Sequence, residues 1–238
     1  MYENHFCSDQ ALQCLSEIRN QIAIAEYGRK LSPIFPIQLI AVSKKQSDIA
    51  IRALFKAGQK SFGENYLQEA VTKQKSLLDL AIDWHFIGAI QSNKTALIAE
   101  NFHWCHSLDR LKIAQRLDAH CKALNKTLNV LIQINIDESP SKGGIFPNDL
   151  ELFAKELMKC HNLRWRGLMC FPDHLDENLK HEKSMFDKTY ELFLTGQKIN
   201  ASLDTLSMGT SGNFTQAIRC GSTMVRIGES LFGTRQKQ

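Results

Sequence analysis

Near the start of the chain, Leu12, Leu15, Ile18, Ile22 and Ala25 recur at three- and four-residue steps after Ser8 or Asp9 as a cap. This spacing predicts an N-terminal helix over about 8–30, closed by Pro33 and Pro36. Beyond it the pattern changes. Short β-branched or aromatic runs alternate with longer helix-compatible stretches, as in repeated βα units around a parallel sheet. The runs are Gln38–Ser43, Lys60–Gly63, Trp84–Ile87, Trp104–Ser107, Val130–Ile136, Arg164–Cys170, Thr205–Met208 and Thr223–Ile227. Helices between them include Asp48–Ala57, Asn65–Leu80, Asp109–Leu124 and Asn148–Lys159. Eight such strands predict an α/β fold, a (β/α)8 TIM barrel over about 37–235, with an open doubly wound sheet as the alternative. No linker or low-complexity tract interrupts the pattern, so residues 1–238 are expected to form a single domain.

Composition narrows the function classes. The 29 Lys and Arg against 25 Asp and Glu leave a charge of +4 spread along the chain, poor grounds for a nucleic-acid partner. Seven cysteines form no C-x-x-C pair and leave one over in any disulfide scheme, which suits a reducing, cytoplasmic setting. The N-terminus lacks a signal-peptide pattern, and no apolar run approaches the roughly 20 residues that span a bilayer. A soluble protein without a membrane partner is expected.

Functional residues of such barrels gather at the carboxyl-terminal ends of the strands, and the polar clusters fall there. Lys44 follows the apolar run Leu39-Ile40-Ala41-Val42, where partly desolvated walls favour the neutral amine that carbonyl condensation needs. Taken alone, a lysine there is more often a solvated surface charge. Strand alternation directs Lys45 to the other face. Gly209-Thr210-Ser211-Gly212 and Gly228-Glu229-Ser230 follow the last two strands, where barrels commonly hold a phosphate, although ordinary βα turns also use glycine. Arg226 sits between apolar neighbours and so points inward, toward a structural ion pair or an acceptor on a ligand. The cluster His103-Trp104-Cys105-His106 fits no common zinc spacing, and alternation splits it between two faces, so no metal is expected. His85 is read as a hydrogen-bonded barrel histidine rather than a general base. Hydrolase, P-loop and dinucleotide fingerprints are missing.

Taken in order, several segments resemble the pyridoxal phosphate homeostasis protein family, with its alanine racemase N-terminal-domain-like barrel. They are Ala41-Val42-Ser43-Lys44, Phe62-Gly63-Glu64-Asn65-Tyr66 with Gln68-Glu69, Trp84-His85-Phe86-Ile87-Gly88, Gln91-Ser92-Asn93-Lys94, Arg166-Gly167-Leu168-Met169, and Gly221 to Gly228. The resemblance implies pyridoxal 5′-phosphate (PLP) held as a Schiff base on Lys44. It also implies Arg226 facing the pyridine nitrogen, Asn65 near the ring, and Ser211, Gly228 and Glu229 around the phosphate. Lys142 matches a family lysine linked to PLP transfer. The implied role is a PLP carrier or regulator of vitamin B6 and amino-acid pools, with no catalytic residues and with PLP-requiring apo-enzymes as recipients. A monomer is expected.

The sequence departs from the family in Gly209-Thr210-Ser211-Gly212-Asn213-Phe214-Thr215, where methionine usually precedes the serine and an acidic residue follows shortly after it, so that Gly212-Asn213-Phe214-Thr215 is altered. Asn213 is still expected to cap the next helix. Lys45 replaces a residue that often carries a hydroxyl. The alternative is a PLP-dependent racemase, whose second base is a tyrosine from an additional domain. Of tyrosines 2, 27, 66 and 190, only Tyr66 lies near a strand end, and the chain stops at Gln238, soon after the last strand.

Overall fold

Eight strands close in chain order into a parallel barrel in a computed structural model that describes residues 8–30, 36–172 and 179–233. They are β1 (Gln38–Val42), β2 (Ser61–Glu64), β3 (Asp83–Phe86), β4 (Trp104–Leu108), β5 (Leu128–Ile134), β6 (Leu163–Cys170), β7 (Thr205–Ser207) and β8 (Met224–Ile227). Parallel pairing of β1 with β8, Ile40 opposite Arg226, completes the ring and excludes the open sheet. The helices are α1 (Ser8–Glu26), α2 (Asp48–Lys56), α3 (Leu67–Ser76), α4 (Thr95–Asn101), α5 (Leu111–Ala123), α6 (Leu150–Leu157), α7 (Leu179–Ile199), α8 (Phe214–Arg219) and α9 (Glu229–Phe232).

Local chemistry explains the elements. Ser47 caps α2 by accepting from the Ala50 amide at 3.3 Å, Asp48 and Lys56 suit the two ends of its dipole, and Ala50, Ile51, Ala53 and Leu54 turn inward. On α1 the buried stripe is Ala11, Leu15, Ile18, Ile22 and Ala25, which packs on α2, α8 and α9. Leu12, expected in that stripe, is exposed, because Ala11 keeps the spacing to Leu15 and Ile18. Strand β5 ends two residues earlier than the apolar run suggests. Asn135 stops it by accepting from the Ser139 amide at 3.1 Å and donating to the Ser139 carbonyl at 2.7 Å.

Alternation along the strands separates two cores. Residues such as Leu39, Ala41, Phe62 and Cys105 face the helices. The barrel interior holds Ile40, Trp104, Leu131, Met169 and Met224. The six described cysteines carry free thiols. Among the described residues, no helix is long and apolar enough to cross a membrane.

Candidate functional site

A cavity of about 660 Å³ opens at the carboxyl-terminal ends of the strands, and Lys44, Asn65, Ser211, Arg226, Gly228 and Glu229 all line it. All six expected binding residues therefore share one space, although they come from both ends of the chain.

Lys44 is half-buried just past β1. The peptide groups on either side of it are held by α3. Lys73 Nζ donates to the Ser43 carbonyl at 2.6 Å, and the Lys45 amide donates to Glu69 Oε1 at 2.5 Å. Lys73 also binds Glu69 at 2.6 Å and the fully buried Glu64 at 2.8 Å, while the Ser43 hydroxyl donates to Glu64 at 2.7 Å. Burial pushes the Glu64 carboxyl above its ordinary range, against the pull of Lys73 and Ser43. Sequence reasoning missed this support. The i, i+4 spacing of Glu69 and Lys73 was visible, but it usually marks a solvated helix face. Lys45 is exposed, and not through the strand alternation expected to turn it to the other face. The strand has already ended, and a left-handed backbone (φ 61°) turns the residue outward.

Arg226 on β8 is only 5% exposed. Its Nη1 donates to Ser207 Oγ at 2.5 Å and its Nη2 to the Cys170 carbonyl at 3.0 Å. No carboxylate among the described residues pairs with it, so the ion-pair alternative is ruled out for them. Burial lowers its pKa to about 10, which still leaves it charged at neutral pH. Asn65 Oδ1 is buried and has no hydrogen-bond partner. Gly88 permits that placement, since a Cβ there would lie 2.1 Å from the Asn65 carbonyl oxygen.

Opposite these groups, Ser211 Oγ accepts from the Gly228 amide at 3.4 Å, at the start of α9, where the Gly228 carbonyl accepts from the Leu231 and Phe232 amides. Gly209 shapes the Ser211 loop with φ +91°, and a Cβ there would meet Ala217 Cβ at 2.7 Å and Phe214 Cα at 2.8 Å. Gly209→Ala is therefore expected to lower stability by about 1–3 kcal/mol through strain and overlap, read as a lower urea midpoint. Asn213 does occupy the N-cap position of α8, but its side chain makes no capping bond. It turns back and accepts from the Thr210 amide at 2.8 Å, so it bends the loop instead of capping the helix.

Lys142 does not line the cavity, whereas its neighbour Gly143 does. Lys142 Nζ pairs with Asp137 and donates to the Phe171 carbonyl at 3.1 Å. His85 is fully buried and hydrogen-bonded inside the barrel, as expected. Trp104 packs inside the barrel and Cys105 outside it, and no three-residue metal cluster occurs among the described residues. Tyr66 is half-exposed at the head of α3 and lies off the cavity.

Comparison with known proteins matches this geometry to a family. The model for the alanine racemase N-terminal domain matches residues 21–236. A pyridoxal phosphate homeostasis protein of Pseudomonas aeruginosa is 49% identical over 199 residues, 84% of this chain and 85% of its own. The Escherichia coli K12 protein of that name is 42% identical over 225 residues, 93% and 95% of the two chains. Among solved structures, PipY of Synechococcus elongatus PCC7942 with PLP bound has a TM-score of 0.81 at 33% identity, over 94% of this chain and 100% of that one. The alanine racemase of Streptomyces coelicolor A3(2), at 15% identity and a TM-score of 0.75 over 94% of this chain and 59% of that one, shares the fold. The chain belongs to the pyridoxal phosphate homeostasis protein family, built on the barrel of the alanine racemase N-terminal domain.

Proposed function

We propose that this chain binds PLP as an imine on Lys44 and serves as a non-catalytic carrier that passes it to PLP-requiring apo-enzymes in the cytoplasm. The observation that carries this reading is the convergence of Lys44, Arg226 and the Ser211 and Gly228 turns on one cavity. The residues present fit the cofactor. A buried guanidinium without a described carboxylate partner suits a pyridine nitrogen, and the orphaned Asn65 Oδ1 is open to a donor on a ligand. Ser211 with the Gly228 and Glu229 backbone suits a phosphate. Lys44 would supply the nucleophilic amine that condenses with the cofactor aldehyde, the carbonyl oxygen leaving as water with both protons of the neutral amine. PipY with PLP bound supports the same use of this chain.

PLP would supply an electron sink with its ring nitrogen protonated, and a charged Arg226 beside that nitrogen would disfavour the proton. This favours holding the cofactor over carbanion chemistry. Racemisation also needs a base on each side of the substrate carbon, and none of the described tyrosines lines the cavity. Six free thiols among the described residues suit a reducing compartment, and one barrel per monomer is the simplest assembly.

The test is the visible spectrum of the purified protein with PLP before and after borohydride, with peptide mapping of the product. A protonated-imine band lost on reduction, with a pyridoxyl group on Lys44, is expected. Absence of both band and adduct sinks the cofactor reading. Sustained turnover of alanine between enantiomers, lost in Lys44→Ala, sinks the carrier reading alone.

A further inference from the structure

Below the cavity, the barrel axis carries a series of buried polar side chains. Arg226 Nη1 donates to Ser207 Oγ, which lies 3.3 Å from His106 Nδ1; His106 Nε2 is 2.9 Å from His85 Nδ1, and His85 Nε2 is 3.1 Å from Asp83 Oδ2. His85, His106 and Ser207 are fully buried. Asp83 begins β3 at the opposite end of the barrel, with its side chain 34% exposed. The series thus joins the far end of the barrel to the guanidinium that lines the cavity.

The direction of donation follows from the Asp83 end. Burial alone would raise the Asp83 carboxyl, but bonds from His85 and Ser61 and the nearby His103 bring it below its usual value, so it is a carboxylate and accepts only. Burial keeps both inner histidines neutral. His85 is lowered in spite of Asp83, and His106 is lowered further, with His85 and Arg226 adding to the effect. A neutral imidazole has one donor and one acceptor nitrogen. His85 gives its Nε2 proton to Asp83, so its Nδ1 accepts from His106 Nε2. His106 Nδ1 must then accept from the Ser207 hydroxyl. The Ser207 oxygen keeps its lone pairs for Arg226. Every bond in the series is satisfied in this one direction. Trp104, stacked on His85 at 5.4 Å and 11°, holds that ring in plane.

We propose that Asp83, His85 and His106 are positioning residues for Arg226: a one-way hydrogen-bond series anchored on Asp83 commits the Ser207 proton away from the guanidinium and aims Arg226 at the cofactor ring. Only the last link rests on the PLP reading of the cavity. The series itself belongs to the protein without ligand.

Two measurements test it. Long-range proton–nitrogen NMR of the unmodified protein without added PLP is expected to show His85 and His106 neutral with the proton on Nε2. A proton on Nδ1, or an imidazolium at either residue near pH 7, overturns the series. With PLP added, Asp83→Leu removes the terminal acceptor and is expected to mix the tautomers, shift the bound-cofactor absorption and weaken binding by roughly threefold to thirtyfold. Asp83→Asn keeps a carbonyl acceptor for His85 Nε2 and is expected to restore both the tautomers and the spectrum. Unchanged spectra and affinity in Asp83→Leu overturn the positioning role while the Lys44 adduct stands. Failure of the unmodified protein to form any adduct overturns the cofactor reading instead, with the imidazole spectra still deciding the series.

Discussion

Lys44→Ala protein mixed with PLP is expected to show no imine band and no borohydride-fixed adduct, while retaining weak, phosphate-dependent binding. The separation follows from where the contacts originate. On the proposed reading the covalent bond would be made after β1, whereas the phosphate and ring contacts would come from the loops after β7 and β8 and from β8 itself, all of which line the cavity. Two or three charge-assisted hydrogen bonds from those loops are worth about 4–7 kcal/mol together, a dissociation constant between roughly 1 mM and 10 µM. Equilibrium dialysis with PLP, and with pyridoxal as the phosphate-free comparison, reads this directly. A full imine spectrum in the variant would place the cofactor elsewhere. Lys45 and Lys142 would be the candidates, although Lys45 turns away from the mouth and Lys142 is tied to Asp137 and the Phe171 carbonyl. Loss of all binding together with the imine would show that Ser211, Gly228 and Arg226 do not hold the ligand by themselves.

The parts of this molecule that were legible in the sequence are those governed by local periodicity. Eight β-branched or aromatic runs marked eight strands, and the polar clusters after six of them marked the end at which chemistry gathers. The same rule placed Lys44, Asn65, Ser211 and Arg226 around one cavity before any contact was known. What stayed hidden depends on pairs far apart in the chain. Nothing near Lys73 signals that a lysine on a polar helix is buried beneath the Ser43 carbonyl, 30 residues away. His106 and Ser207 are separated by 101 positions, and only closure of the barrel brings them together. Asn213 shows a subtler limit. Its residue type and position both suit a helix cap, yet the Thr210 amide competes for the same oxygen and takes it.

Lys73→Met should produce the largest loss of stability, about 3–5 kcal/mol at neutral pH, because it strands the Glu64 carboxylate in the interior without its counter-charge. Both partners are closed off from solvent, with side-chain exposures of 7% and 0%, so screening by water does little to soften the change. Methionine keeps most of the volume but supplies none of the three hydrogen bonds that Lys73 gives to Ser43, Glu64 and Glu69. The loss should depend on pH, with a definite sign. Glu64 already titrates above its ordinary 4.5 because burial outweighs Lys73 and Ser43, and removal of Lys73 raises it further. A carboxyl whose folded pKa is raised contributes stability that is complete below its unfolded pKa and disappears as pH climbs through the folded value. The deficit of Lys73→Met relative to the unmodified protein should therefore grow once pH passes the folded Glu64 value of the unmodified protein, which lies above the ordinary one, and be larger at pH 8 than at pH 5. Adding Glu64→Gln to Lys73→Met should recover about half of the loss or more, since glutamine still accepts from the Ser43 hydroxyl and carries no charge to strand. Urea unfolding of the three proteins at both pH values measures these differences. A deficit that is flat with pH, or unrelieved by Glu64→Gln, would mean that Lys73 stabilises the fold through its bonds to Ser43 and Glu69 rather than by neutralising Glu64. In that case the loop carrying Lys44 would be the first part of the barrel to loosen.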